Sequence, residues 1–209
     1  MLLVLGGCSG DDSSTDEGDH DVAACRELLG AAGVDWVKDN TASETGIAPG
    51  SDDLKSAKSL FEAHAKSWDP SSEGIPVFNN SELCRVVKQP NSTGNSLSIR
   101  YGASVTAFDH PFGGDQIVTP VNTDVKLVYG KKSPGELGYF VYIRCQVKGA
   151  PAGQMNEVPL EGVMTDTLTN ADGADEHLTY LLHSAQKVIA EFQCENNPQV
   201  PAEVPAGTE

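Results

Sequence analysis

Apolar residues recur along this chain with two different periods, and the change of period divides it. Val22, Cys25, Leu29, Ala32 and Trp36 repeat at three and four, the spacing of one helix face. Gly30 and Gly33 weaken that helix, since glycine costs about 1 kcal/mol in a helix interior. Residues 40–50 are turn-like. Leu54, Ala57, Phe61, His64 and Trp68 mark the face of a second helix. Ser51 is its expected N-cap, Asp52 and Asp53 suit the helix dipole, and Pro70 ends it.

The period then falls to two. Residues 83–87 form a short strand candidate. Leu97, Ile99, Tyr101, Ala103, Val105 and Ala107 alternate with Ser98, Arg100, Gly102, Ser104 and Thr106, which predicts a long strand. Residues 121–129 read as another strand, and Pro134-Gly135 turns the chain after it. Tyr139, Val141, Ile143, Cys145 and Val147 lie opposite Phe140, Tyr142, Arg144, Gln146 and Lys148. Helical spacing returns with Leu178, Leu181, Leu182, Ala185, Val188, Ile189 and Phe192, one broad apolar face capped by Asp172 or Asp175. Consecutive strands joined by short turns imply an antiparallel meander. The predicted fold class is α+β: an antiparallel sheet of about four or five strands, with two N-terminal helices and one C-terminal helix packed on it.

Four segments follow. Residues 1–8 read as a truncated signal peptide ending in a lipobox, Leu5-Gly6-Gly7-Cys8. Residues 9–21 carry six acids and no Lys or Arg, and read as a disordered acidic spacer. Residues 22–194 are the single α+β domain, and 195–209, with Pro198, Pro201 and Pro205, a disordered tail. At a lipobox the cysteine is diacylated and becomes the mature N-terminus. Two acyl chains anchor stably where one is marginal. A secretory signal also carries a basic region, and none precedes Cys8, so a longer signal with Lys or Arg is expected upstream. The implied location is the extracytoplasmic face of the cell membrane, lipid-anchored.

Of five cysteines, lipidation of Cys8 leaves Cys25, Cys84, Cys145 and Cys194, an even set suited to disulfides in an exported chain. Three pairings are open. The favoured one is Cys25–Cys84 with Cys145–Cys194. The net charge is −16; nine of the acids lie in the spacer and tail, which leaves −7 for residues 22–194. Nucleic-acid binding needs a basic footprint and is disfavoured.

The lipobox, the acidic Ser/Asp spacer, Cys25-Arg26-Glu27-Leu28-Leu29, the strand cysteine and the closing amphipathic helix resemble small actinobacterial surface lipoproteins of unknown function. The resemblance implies a surface location and a cysteine-stabilised α/β sandwich. It transfers no catalytic residue.

The search for chemistry finds no constellation. The histidines are scattered, and His177 and His183 stand six apart, off the three-or-four spacing of a chelating pair. Asp109-His110 follows the longest predicted strand, but no Gly-x-Ser-x-Gly motif accompanies it. Gly113-Gly114-Asp115 reads as a turn. Asn170 to Gly173 fails as a calcium loop, because Leu168 and Thr179 stand where acids are required. No catalytic residue, metal or cofactor is assigned. Exposed aromatics beside arginine typify interaction surfaces, so Phe140, Tyr142 and Arg144, with Phe112 of the loop 108–120, are the candidate contact residues. The expected function is non-enzymatic binding of an envelope protein or cell-wall component. The alternative is a cell-envelope hydrolase using carboxylates or His110 in a cleft.

Overall fold

A computed structural model describes residues 17–42, 44–48, 52–88, 94–133, 136–171 and 173–205. Cys8 and most of the expected spacer lie outside these residues. The elements in chain order are α1 (Glu17–Asp39), β1 (Thr45–Ala48), α2 (Leu54–Ser67), β2 (Asn80–Lys88), β3 (Ser96–Ala103) and β4 (Ile117–Pro120). They continue with β5 (Val125–Ser133), β6 (Glu136–Ile143), α3 (Gln154–Glu157), β7 (Leu160–Asp166) and α4 (Ala174–Phe192).

The strands form one sheet in the order β1-β2-β3-β7-β6-β5-β4, with every neighbouring pair antiparallel. The fold is therefore α+β with an antiparallel sheet. It has seven strands among the described residues rather than four or five, and a short additional helix, α3. It is also no simple meander. The chain leaves β3, builds β4, β5 and β6 at the far side, and returns as β7 between β3 and β6.

β7 carries an unusual solution to packing. Leu160, Gly162 and Met164 share the face of Ile99 and Tyr101 on β3. A Cβ on Gly162 would stand 2.4 Å from Tyr101 Cε1 and 2.7 Å from Val141 Cγ1. The glycine therefore makes the room in which the Tyr101 ring lies. That ring reaches α4, where the hydroxyl lies 2.6 Å from Ser184 Oγ. Burial pushes the Tyr101 phenol well above its ordinary range, so it stays protonated and can hydrogen-bond.

α1, α2 and α4 all pack on this face. Leu178, Leu181, Leu182, Ala185 and Val188 of α4 are fully buried, as are Phe61 and Ala65 of α2. Each large side chain among them contributes on the order of 1.5–3 kcal/mol. α1 kinks at Gly30 (φ 69°), where a Cβ would stand 3.0 Å from His183 Nε2. The kink shifts the helix phase. Cys25, Leu28 and Leu29 are buried before it and Val37 after it, whereas Ala32, expected on the apolar face, is exposed. The N-cap of α2 is Asp53, which accepts from the Ser56 amide at 2.6 Å, rather than Ser51. α4 begins after Gly173 with no side-chain cap; Asp175 sits in its first turn, and Asp172 lies outside the described residues.

Disulfides fasten the helix layer at two points. Cys25–Cys84 joins α1 to β2, and Cys145–Cys194 joins the end of β6 to the end of α4. The chain separations are 59 and 49 residues, for which loop closure predicts roughly 4 kcal/mol each. Residues 195–205, expected to trail as a disordered tail, make specific contacts. Gln146 N donates to Asn196 Oδ1 at 2.9 Å, Gln186 Nε2 donates to the Val200 carbonyl at 3.0 Å, and Val200 and Val204 pack on the core. At the other end, α1 begins at Glu17, inside the segment read as spacer.

A buried histidine–carboxylate hydrogen bond lies under the helices. His177 and Asp166 are buried, with Nε2 2.8 Å from Oδ2. Nδ1 of His177 lies 2.8 Å from the Gly173 carbonyl, which can only accept, so Nδ1 carries a hydrogen. Tyr139 stacks on the ring at 4.2 Å and Trp36 meets its edge at 4.9 Å. Burial pushes the Asp166 carboxyl up. The hydrogen bonds from His177, from the Thr169 hydroxyl and amide and from the Leu168 amide outweigh it, and hold the group below its ordinary value. A depressed carboxylate contributes stability that is complete above its unfolded pKa and is lost as pH falls through its folded value. Asp166→Asn should therefore unfold about 3 kcal/mol more easily at neutral pH, with the gap closing below about pH 4. Denaturant unfolding across that range measures it, and a gap that stays constant with pH contradicts the assignment.

Candidate functional site

With the three long helices on one face, the other face of the sheet is left to strands and loops. Alternation places Asn80, Glu82 and Arg85 of β2 there, with Ser98 and Arg100 of β3. Glu161, Val163 and Thr165 of β7 join them, with Phe140 and Tyr142 of β6 and Lys126 and Val128 of β5. This face has two unlike regions.

Over β5 and β6 the loop 104–116 folds back and builds a second small core of Phe108, Val128 and Tyr142, flanked by Phe112 and Phe140. Lys126 enters this core. Its Nζ donates to the Phe108 carbonyl and stands 4.7 Å from the Phe108 ring, 4.8 Å from Phe112 and 5.8 Å from Tyr142. Such a cage suits an ammonium, because ring faces are electronegative. Burial lowers the Lys126 pKa; the charge of Asp109 opposes that shift and Arg144 adds to it. Arg144 closes the end of the loop. Its guanidinium lies 4.2 Å from the Phe108 ring, Nη2 reaches both Asp109 oxygens at 3.0 and 3.1 Å, Nε donates to Asn156 at 2.7 Å and Nη1 to the Thr123 carbonyl at 2.6 Å.

The four expected contact residues are thus brought together, but in different roles. Phe112 meets Tyr142 at 5.3 Å, and Tyr142 meets Phe140 at 6.3 Å. Tyr142 is only 4% exposed, so it is a core residue and no surface aromatic. Its phenol is raised far above its ordinary range by burial, then by the charge of Glu161 and a hydrogen bond to it. Arg144 is an internal clamp. Phe140 and Phe112 remain partly exposed. The covering loop was invisible to strand alternation, which alone put Tyr142 on a polar face.

The second region is an open groove of about 510 Å³ lined by Phe78, Asn79, Asn80, Glu82, Arg100, Phe140, Glu161 and Val163. Its floor is a charge network. Arg100 donates to Glu82 Oε2 through Nε at 3.2 Å and Nη2 at 3.1 Å, with Arg85 at 3.6 Å from the other oxygen. Asn80 and Ser104 donate to the two Glu161 oxygens at 3.3 and 3.4 Å. Phe78 forms a wall and leans on His64 at 4.9 Å. Burial lowers the His64 pKa, and its Nδ1 is buried without a partner among the described residues. The loop that supplies Phe78 also displays Ile75 and Val77, which are 85% and 89% exposed. Of these residues only Phe140 is a candidate from sequence. The others come from three strands and a loop with no local motif; the one readable signal was Arg100, a charge on the polar side of a clear alternation.

His110 lies in the loop, exposed, edge-on to Phe112 at 5.2 Å, and does not line the groove. Gly114 takes φ 72° in a turn. Among the described residues no group of three or more His, Cys, Asp or Glu is placed to hold a metal ion, and no helix is long and apolar enough to cross a membrane. Compared with protein-family models, curated proteins and solved structures, the chain finds no match.

The caged lysine should hold the 104–116 loop down. Lys126→Met keeps the apolar stem but loses the ammonium, and should cost about 1–2 kcal/mol. Hydrogen exchange should rise at the Phe108 amide, which donates to Asn156 O at 2.6 Å. Unchanged exchange there would mean the cage is not what holds the loop.

Proposed function

We propose that this protein is a lipid-anchored, extracytoplasmic, non-enzymatic binding module that presents the open face of its sheet to an envelope protein or cell-wall component. The observation that carries this reading is the groove between Phe78 and Phe140, with Ile75 and Val77 projecting from the loop beside it. Large aliphatic side chains exposed together next to a partly exposed aromatic and paired arginines are the mixture found in protein contact surfaces. The lipobox at Cys8 supports tethering, and two disulfides suit an oxidising compartment outside the cytoplasm. The resemblance to actinobacterial surface lipoproteins points the same way.

Glu82 and Glu161 both line the groove, which is the feature a hydrolase would use. Glu82 is engaged by two arginines, and Glu161 by Asn80 and Ser104. These contacts favour a recognition role over acid–base work.

In-cell crosslinking of the anchored protein in its host, followed by mass spectrometry, should capture one recurrent partner. Cys8→Ala should release the protein from the membrane and abolish capture. Val77→Asp alters a side chain that packs on little, and should weaken capture about tenfold or more if it sits at the centre of the contact. Capture that survives both substitutions, or no partner in any sample, overturns the proposal.

A further inference from the structure

A second cavity lies away from the groove, on the helix-covered side at the β1 edge. It encloses about 280 Å³ between α1 and β1. Its wall is aliphatic: Val34 and Val37 from α1, and the cross-strand neighbours Ile47 and Val86. Two cations, Arg26 and Lys38, also line it, and both are exposed. Arg26 pairs with no carboxylate among the described residues. Lys38 has only a loose surface contact with Asp35 at 3.7 Å, with both side chains more than half exposed. Such a pair is worth little and leaves the ammonium available.

In a chain of net charge −16, two such cations at one aliphatic cavity form a local exception. An aliphatic wall beside a guanidinium and an ammonium is complementary to a chain that ends in an anion. The planar fork of arginine matches a carboxylate through paired hydrogen bonds. Size sets the length: at the ~30 Å³ that one water-sized group occupies, the cavity admits about nine heavy atoms. It has room for one short chain and not for the two tails of a phospholipid. We propose that this cavity binds a free medium-chain monocarboxylate of about eight carbons, tail inward, with its carboxylate attracted by the exposed cations of the rim, Arg26 and Lys38. The site is independent of the open-face reading above.

The test is titration of the full 209-residue chain with hexanoate, octanoate, decanoate, methyl octanoate and dihexanoyl-phosphatidylglycerol. Near 0.1 M salt the general negative charge is screened beyond about 10 Å. Binding is read from the methyl resonances of Val34, Val37, Ile47 and Val86. Those resonances should move saturably with octanoate. Affinity should rise about fourfold per methylene up to eight carbons and level off beyond, since each buried methylene adds a roughly constant increment. Methyl octanoate should bind about fivefold more weakly, the upper range for an exposed charge contact, and the phospholipid should leave the methyls unmoved. Arg26→Gln with Lys38→Gln, both at exposed positions, should remove the preference for the acid over its ester. Absence of saturable shifts up to millimolar octanoate, equal binding of acid and ester, or an acid preference that survives the double substitution overturns the proposal.

Discussion

Everything in this fold depends on one strand finding its place between two others. Among the described residues β7 is the strand that pairs with both the β1-β2-β3 ribbon and the β4-β5-β6 ribbon of the sheet. Without it the sheet is two separate three-stranded pieces. Its insertion rests on a missing side chain. Gly162 lets the Tyr101 ring lie across the strand and reach Ser184 of α4, so a single position couples β3, β7 and the last helix. The cost of glycine in a strand is offset by the burial of a large aromatic that has a satisfied hydroxyl. The disulfides repeat this logic at the periphery: one holds a helix to each half of the sheet.

A sheet covered by helices on one face must do something with the other. Here the solution differs along the sheet. At the β5–β6 side a loop covers it, and the caged Lys126 and clamped Arg144 are the polar groups that make that cover specific. Across β2, β3, β7 and β6 the face stays open, and its charged residues pair laterally instead of being buried. The open region is thus a consequence of where the 104–116 loop ends. What stays open there is a mixed polar and aromatic floor beside the exposed aliphatic side chains of Ile75 and Val77.

The sequence is legible where periodicity is long and undisturbed. α4, β3 and β6 can be read this way, because each keeps one period across its whole length. The favoured cysteine pairing is the one the structure holds, although helix-to-strand bridging alone leaves two of the three pairings open. β7 is missed for the same reason that it matters. Gly162 stands at an inward position where a branched residue would signal a strand, and Val163 faces the other way. β1 and β4 are four-residue edge strands, too short to show a period. The segment 195–205 has the composition of a free tail, yet it is fixed by hydrogen bonds from the Gln146 backbone amide to the Asn196 side chain and from the Gln186 side chain to the Val200 carbonyl. Tyr142 shows the limit for sites. Alternation gives the face of a residue correctly but not whether a distant loop lies on that face.

On the proposed function, a partner meets the open face of the sheet and not the helix face. A photo-crosslinking amino acid at Phe140, on the groove, can be compared with one at Ser59, exposed on the outer side of α2. Each would be expressed in the native host with Cys8 unchanged. The account predicts discrete adducts from position 140 and none from position 59. Adducts from position 59 with none from 140 would contradict it and assign the contact to the helix layer.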